Sequence, residues 1–192
     1  MTMVLVTRQA PDFTCAAVLG NGEIVNNFNF KKHINGKAAV LFFYPLDFTF
    51  VCPTELEDLQ IKYADFQKAG CEIYSVSCDT HFVHKAWHDN SESIGKITFP
   101  MLADPTQALA RDFDVLIEGQ GIAERGSFIV NPEGKIVVYE VSAGNVGRNA
   151  EELFRKLQAS QFVAEHGDQV CPARWAPGAA TLKPGIDLVG AI

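Results

Sequence analysis

Two strand-length apolar runs, separated by one amphipathic stretch, constrain this fold more than any other feature of the sequence. Residues 38–44 read AAVLFFY, and residues 71–77 read CEIYSVS. Apolar runs of this length are typical of strands that are covered on both faces, as parallel strands are. The two runs therefore predict neighbouring strands inside a layered α/β fold.

The stretch between the two runs has the spacing of an amphipathic helix. One apolar stripe is formed by residues three and four positions apart: Leu56, Leu59, Tyr63 and Phe66. We predict a helix over residues 53–68, which ends at a C-capping Gly70. A second helix is expected over residues 80–90, capped by Asp79 or Thr80. Strand, helix, strand and helix in this order predict parallel strands joined by right-handed crossovers.

The second half of the chain adds a hairpin and a further helix. Residues 126–141 read GSFIVNPEGKIVVYEV, and the turn signal Asn-Pro-Glu-Gly separates two apolar runs. A helix is expected over residues 149–166. The chain should therefore form an α/β domain, residues 1–170, with a central mixed sheet flanked by helices. Residues 171–192 are rich in Pro, Gly and Ala and are predicted to form an irregular C-terminal arm.

Charge and the distribution of apolar residues exclude several classes of protein. The net charge of -7 and the pI of about 5.2 argue against nucleic acid or an anionic membrane as the main partner. No apolar run approaches the ~18 residues that a membrane-spanning helix needs. The start, MTMVLVTRQAPDF, lacks the pattern of a secretory signal. We therefore expect a cytoplasmic protein.

Cys52 stands in the loop after a buried strand, where α/β folds expose functional groups. Pro53 suits the first position of a helix, which puts Cys52 at or beside the N-cap. There the unpaired amides and the positive end of the helix dipole favour thiolate over thiol. Thr49 is close enough in sequence for a hydrogen bond to the sulfur or to a bound oxygen, and Pro45 would stiffen the loop and shield the sulfur from water.

A reactive thiol also needs a cation, and two arginines stand at the ends of predicted elements. Arg125 precedes GSFIV, and Arg148 lies in GNVGRN. The spacing alone brings neither of them to Cys52. The alternative is an inert buried cysteine, which is a common role of free cysteines. The flanking prolines and threonine favour the reactive thiol without identifying its substrate.

The segment YPLDFTFVCPTELEDL resembles the signature of the peroxiredoxins, whose Pro-x-x-x-Thr-x-x-Cys pattern is matched by Pro45, Thr49 and Cys52. The resemblance covers nearly the whole chain, and its other segments are APDF, SVSCDTHFVHKAWH, FPMLADPT, RGSFIVNPEGKI, VGRN and VCPARWAPG. The chain is similar to the typical two-cysteine class of peroxiredoxins. Through the tail GAATLKPGIDLVGAI, it is especially similar to the bacterial alkyl hydroperoxide reductase C group. This resemblance implies a thioredoxin-like fold.

The resemblance also implies a thiol peroxidase. The Cys52 thiolate would attack hydrogen peroxide or an organic hydroperoxide and become a sulfenic acid. Thr49 and Arg125 would bind the peroxide oxygens and activate the thiolate, and Glu55 and Arg148 would support the arginine. Hydrogen-bond donors at the leaving oxygen suit this chemistry, because negative charge develops there. No metal or organic cofactor is implied.

Cys171 matches the family's resolving cysteine in VCPARW. The resemblance implies that Cys171 of the partner subunit in an antiparallel homodimer condenses with the Cys52 sulfenic acid. A flavoprotein disulfide reductase or thioredoxin would then reduce the intersubunit disulfide. The dimers would assemble into a decamer, a pentamer of dimers. Without the resemblance, a lone cysteine in a tail could also be incidental.

The remaining cysteines and three histidines have less specific patterns. Burial in a structural role is expected for the other cysteines: Cys15, Cys71 and Cys78. His81, His84 and His88 share one predicted helix face, but the acidic residue of a metalloprotease motif is missing, so packing or surface roles are favoured. Two other functions stay open. One is a dithiol oxidoreductase, against which the lack of any C-x-x-C argues; the other is a holdase that acts through its assembled surface.

Overall fold

The computed structural model describes residues 4–191, and its centre is a seven-stranded mixed sheet. The strands in chain order are β1 (Thr14–Val18), β2 (Ile24–Asn29), β3 (Ala38–Phe43), β4 (Cys71–Ser77), β5 (Met101–Ala103), β6 (Leu116–Ile117), β7 (Ile122–Ala123), β8 (Arg125–Val130) and β9 (Ile136–Ser142). The order across the sheet is β2-β1-β5-β4-β3-β8-β9, while β6 and β7 form a separate antiparallel pair. Strand β4 pairs in parallel with β3 and β5. All other neighbouring strands in the seven-stranded sheet pair in antiparallel fashion.

The three predicted helices are present with small shifts at their ends, and the structure adds two short helices that were not predicted. The helices are α1 (Phe30–Ile34), α2 (Cys52–Lys68), α3 (His81–Asn90), α4 (Ala108–Asp112) and α5 (Ala150–Glu165), with 3-10 turns at Ile94–Lys96 and Ile186–Leu188. The Thr80 hydroxyl accepts a hydrogen bond from the Val83 amide and caps α3. Gly70 follows the last residues of α2 with a φ of 69°, the left-handed conformation that ends many helices.

Strand β3 is buried on both faces, as its apolar run predicts. All six of its residues are buried. Ala39, Leu41 and Phe43 join a core cluster with apolar residues of α1 and α4. Because side chains alternate along a strand, Val40 and Phe42 point to the opposite face of the sheet.

The predicted hairpin is formed by β8 and β9, and β8 pairs in antiparallel fashion with β3. Phe42 of β3 is the partner of Ser127 in this ladder. Arg125, two residues before Ser127, therefore lies at the end of the sheet where β3 leads into the Cys52 loop. This register brings together two parts of the sequence that are far apart.

The chain divides into two compact units, one ending at Ala150 and the other beginning at Glu151. In the second unit, the arm that follows α5 is irregular apart from a bridge between Val170 and Leu182 and the 3-10 turn Ile186–Leu188, as far as the arm is described. The sequence-based boundary between residues 170 and 171 stays a prediction. Over residues 4–191, no helix combines the length and apolarity that a membrane crossing requires.

Candidate active site

Helix α2 begins at Cys52 itself, and the thiol is buried in the first turn with 1% of its surface exposed. The N-cap residue Val51 makes no side-chain capping bond, and its carbonyl accepts the amides of Thr54 and Glu55 at 3.1 and 3.2 Å. Pro53 is the second helical residue rather than the first. This shift is tolerated because amides throughout the first turn lack a helical partner. The sulfur therefore lies at the positive end of the helix dipole.

Arg125 brings a positive charge to the Cys52 sulfur. Its Nη1 donates to Sγ at 3.4 Å and to Glu55 Oε2 at 2.6 Å, while its Nε donates to the Gly144 carbonyl at 2.8 Å. Burial lowers the pKa of Arg125, but the hydrogen bond to Cys52 and the charge of Glu55 outweigh it, so this pKa lies above its ordinary value. The guanidinium therefore stays charged beside the sulfur.

Glu55 also holds a second arginine. Its Oε1 accepts the Arg148 backbone amide at 2.8 Å and Nε at 2.9 Å, and its Oε2 accepts Nη2 at 3.1 Å. Arg148 Nη1 donates to the Gly126 carbonyl at 2.8 Å and to the Ser127 hydroxyl at 3.1 Å, and its guanidinium carbon lies 3.3 Å from the centroid of the Phe42 ring. Burial lowers the pKa of Arg148, and Glu55 opposes that effect. One buried carboxylate thus joins two buried guanidiniums, which leaves a net positive charge near the thiol.

Thr49 and Pro45 lie in the loop between β3 and α2, and both are half-buried. The Thr49 hydroxyl donates to the Leu46 carbonyl at 2.8 Å. Its proton is therefore not directed at the Cys52 sulfur, a contact that the sequence left possible. What Thr49 can offer a bound molecule is the lone pairs of its oxygen.

Asp47 anchors this loop through a buried network that the sequence analysis missed. Its carboxylate accepts the Tyr44 hydroxyl at 2.7 Å and lies 2.7 Å from His84 Nδ1, while its amide donates to Asp79 at 2.9 Å. The other ring nitrogen of His84 lies 3.1 Å from the Leu102 carbonyl. Asp47 is the one charged residue in the loop YPLDFTFV, and a buried acid needs partners. That pattern is the signal that could have identified it.

The other two histidines of α3 make separate contacts. His88 Nε2 lies 3.3 Å from the Ile97 carbonyl, and the His81 ring lies 4.0 Å from the Phe82 ring. Throughout residues 4–191, no three His, Cys, Asp or Glu side chains are grouped as metal ligands would be.

All five cysteines are free thiols. Cys171 belongs to the second unit, where its half-buried sulfur lies 3.9 Å from the Ala159 carbonyl. Burial was predicted for the other three, and Cys71 is buried. The prediction was wrong for Cys15 and Cys78, which are half-buried because Cys15 lies next to the edge strand β2 and Cys78 follows the end of β4. Even so, burial raises the pKa of both thiols to about 12.

Comparisons with known proteins identify the family of this chain. Residues 6–139 match the AhpC/TSA family, and residues 159–187 match the C-terminal domain of 1-Cys peroxiredoxin. Alkyl hydroperoxide reductase C of Bacillus subtilis is 50% identical over 190 residues, which cover 99% of this chain and 100% of that protein. Alkyl hydroperoxide reductase C of Staphylococcus aureus is 52% identical over 162 residues, which cover 84% and 86%.

Two solved structures show the same fold. The crystal structure of Enterococcus faecalis AhpC has a TM-score of 0.84 at 57% identity and covers 88% of this chain and 100% of that one. The reduced 2-Cys peroxiredoxin of Plasmodium vivax has a TM-score of 0.91 at 31% identity and covers 96% of each chain. The fold is thioredoxin-like, which confirms the predicted fold class.

Proposed function

Because this chain belongs to the AhpC/TSA family of peroxiredoxins, we propose that it is a thiol peroxidase that reduces hydrogen peroxide and organic hydroperoxides with Cys52. The observation that carries the proposal is the 3.4 Å hydrogen bond from Arg125 to the Cys52 sulfur at the first turn of α2. A guanidinium and a helix N-terminus beside a sulfur stabilise the thiolate, which is the attacking form.

The attack oxidises the sulfur and reduces the peroxide. The thiolate forms a bond to one oxygen of ROOH, the O–O bond breaks, and the leaving alkoxide takes a proton to become ROH. Cys52 is left as a sulfenic acid. Arg125 supports this step because its Nη2 has no protein hydrogen-bond partner among the described residues. Two N–H groups can therefore meet the negative charge that develops on the peroxide oxygens.

Glu55 and Arg148 act by holding Arg125 in place. Glu55 fixes one edge of the Arg125 guanidinium, and Arg148 fixes Glu55 through its backbone amide and side chain. Neither residue forms a hydrogen bond to the Cys52 sulfur, so both are positioning residues in this mechanism.

Thr49 binds the peroxide as a hydrogen-bond acceptor. Because its own proton goes to the Leu46 carbonyl, its oxygen can accept the O–H proton of ROOH. This contact would orient the substrate so that the protonated oxygen faces the sulfur. Pro45 closes the same loop and limits access of water to the thiolate.

Cys171 completes the cycle from the partner subunit of an antiparallel homodimer. Its thiolate attacks the Cys52 sulfenic acid, an intersubunit S–S bond forms, and the released hydroxide takes a proton to become water. A flavoprotein disulfide reductase or thioredoxin then donates two electrons by thiol–disulfide exchange and restores both thiols.

We further propose that the dimers assemble into a decamer in the cytoplasm. Three aromatic side chains support further assembly, because they expose apolar surface on the Cys52 loop and on α3. Phe48 is 57% exposed, Phe50 is 90% exposed and Phe82 is 67% exposed. Exposed apolar groups of this size commonly mark contact surfaces between proteins.

Non-reducing gel electrophoresis after one equivalent of peroxide tests the two cysteine roles. A disulfide-linked dimer is expected for the wild type and for neither Cys52→Ser nor Cys171→Ser. Replacing Cys78 with Ser is the matched control and should leave the dimer band unchanged. A dimer that still forms through Cys52 in Cys171→Ser would show that another cysteine resolves the sulfenic acid.

A further inference from the structure

One face of α5 carries the loop that contains Cys171. Residues 155, 159 and 162 are three or four positions apart and therefore lie along one side of the helix. The Cys171 sulfur lies 3.9 Å from the Ala159 carbonyl, and the Trp175 ring lies 4.9 Å from the Phe162 ring. Trp175 is only 3% exposed. The loop is thus packed against the helix on both sides of Pro172.

Arg155 binds the same loop from the N-terminal end of this face. Its Nη1 donates to the Trp175 carbonyl at 2.9 Å, while Nε and Nη2 form a bidentate pair with Glu152 at 2.7 and 2.9 Å. Trp175 is itself held in place. Its backbone amide donates to the Pro172 carbonyl, and its indole N–H donates to the Ala179 carbonyl. A guanidinium fixed at both edges has little freedom to move away from the loop.

The charge of Arg155 acts on the Cys171 thiol. The pKa of Cys171 lies above its ordinary value because of burial, and the positive charge of Arg155 offsets part of that rise. Other ionic contacts also lie in this unit. Glu152 is the bidentate partner of Arg155 and also pairs with Lys156 at 3.9 Å, and Asp168 pairs with Lys183 at 3.0 Å.

We propose that Arg155 is a positioning residue for the resolving thiol: it ties the Cys171 loop to α5 through the Trp175 carbonyl and supplies the positive charge that stabilises the Cys171 thiolate. This inference rests on the proposed function, in which that thiolate attacks the Cys52 sulfenic acid and releases water after proton uptake. Arg155 makes the attacking form available and favours Cys171 as the leaving thiolate when the disulfide is reduced.

The charge effect can be measured without any peroxide chemistry. In a Cys52→Ser background, iodoacetamide labelling of Cys171 is followed against pH by mass spectrometry of its peptide. Arg155→Gln should move the midpoint of labelling upward by about 0.2 to 0.7 of a pH unit, the range that a partly exposed ion pair supplies. Arg155→Lys should restore the midpoint because it keeps the charge.

A matched control comes from the loop itself. Arg174→Gln removes the same charge from an exposed residue of the arm and should leave the midpoint unchanged. Equal shifts of the labelling midpoint in Arg155→Gln and Arg174→Gln would overturn the charge effect. A downward shift in Arg155→Gln would also overturn it, because it would show that the loop has only detached from α5 and become more exposed.

The hydrogen bond that ties the loop to α5 is tested by chymotrypsin digestion. Cleavage after Trp175 should be faster in Arg155→Gln, and an unchanged rate would overturn the tie.

The catalytic consequence is tested with Cys52 present. Stopped-flow measurements should show that Arg155→Gln slows disulfide formation about two- to fivefold while sulfenic acid formation keeps its wild-type rate. Unchanged disulfide formation would refute the role of Arg155 in resolution. Failure of the proposed function would give a different result. If Cys171 were not the resolving cysteine, Cys171→Ser would still form a disulfide-linked dimer, whatever the labelling midpoint of Cys171.

Discussion

Replacing Glu55 with Gln should disrupt the buried arginine pair more than any other single-atom change in the site. The carboxylate accepts four hydrogen bonds: one from Arg125, two from the side chain of Arg148 and one from its backbone amide. Each oxygen accepts two of them. The amide nitrogen of Gln can accept none, so either orientation loses two bonds and points N–H groups at arginine donors.

The cost follows from these contacts. A hydrogen bond to a charged group contributes about 1.5–3 kcal/mol, so two lost bonds amount to about 3–6 kcal/mol. Removing one partner of a buried ion pair typically costs about 3–5 kcal/mol, which agrees with this range. Because the free energy of unfolding of a domain is about 5–15 kcal/mol, a large part of the total would be lost.

Urea unfolding, followed by circular dichroism, measures this loss for the reduced protein at a fixed concentration. Glu57→Gln is the matched control, since Glu57 lies on the same helix, 43% exposed, and pairs with Lys96 at 3.5 Å across the surface. We expect under about 1 kcal/mol for that variant. The rate constant for the reaction of Cys52 with peroxide should also fall about tenfold or more in Glu55→Gln, because Arg125 is no longer held at the sulfur.

A small difference would refute this reasoning. If the free energies of unfolding of Glu55→Gln and Glu57→Gln agreed within about 1 kcal/mol, the four bonds would not be stabilising the site as described. If the stability fell and the peroxide rate stayed at the wild-type value, Glu55 would support the fold without positioning Arg125.

Two further predictions concern Thr49 and the half-buried thiols. Thr49→Ser keeps a hydroxyl that can donate to the Leu46 carbonyl and should keep most of the peroxidase rate. Thr49→Val should lower that rate about tenfold or more because the hydrogen-bond acceptor is lost. Steady-state peroxide consumption by the folded variants measures both rates. Equal rates for the two variants would exclude the acceptor role. The pKa of about 12 for Cys15 and Cys78 predicts that iodoacetamide leaves them unlabelled near neutral pH. Their labelling should rise roughly tenfold per pH unit up to that value, because only the thiolate reacts; peptide mass spectrometry after labelling at pH 7.5 and 9 checks this against Cys171.

The three longer helices and the parallel pair of β3 and β4 could be predicted because their signals are local. The stripe of α2 repeats within one element, and the apolar run of β3 requires only its own residues to indicate a strand covered on both faces. Helix α2 begins one residue earlier than predicted, because Pro53 is compatible with either of the first two helical positions.

The contacts of the site could not be derived from spacing. Cys52 and Arg125 are 73 positions apart and meet because β8 inserts beside β3, an order that no local pattern encodes. The family resemblance implied this pair, but it did not indicate how Glu55 bonds to both arginines. Asp47, and its contact with His84, could not be predicted for a related reason, since each side chain is polar and becomes buried only when α3 packs against the loop.

The three-residue interval between Cys52 and Glu55 has a consequence for how this sequence can change in length. Each helical residue turns the chain by about 100° and advances it by about 1.5 Å, so one added or deleted residue within this interval would turn the carboxylate away from Arg125. Substitutions at the intervening Pro53 and Thr54 leave that alignment intact. Insertions in loops elsewhere are tolerated far more easily. The length of this single helical turn therefore has to stay constant, because it sets the distance between the Cys52 sulfur and the Glu55 carboxylate.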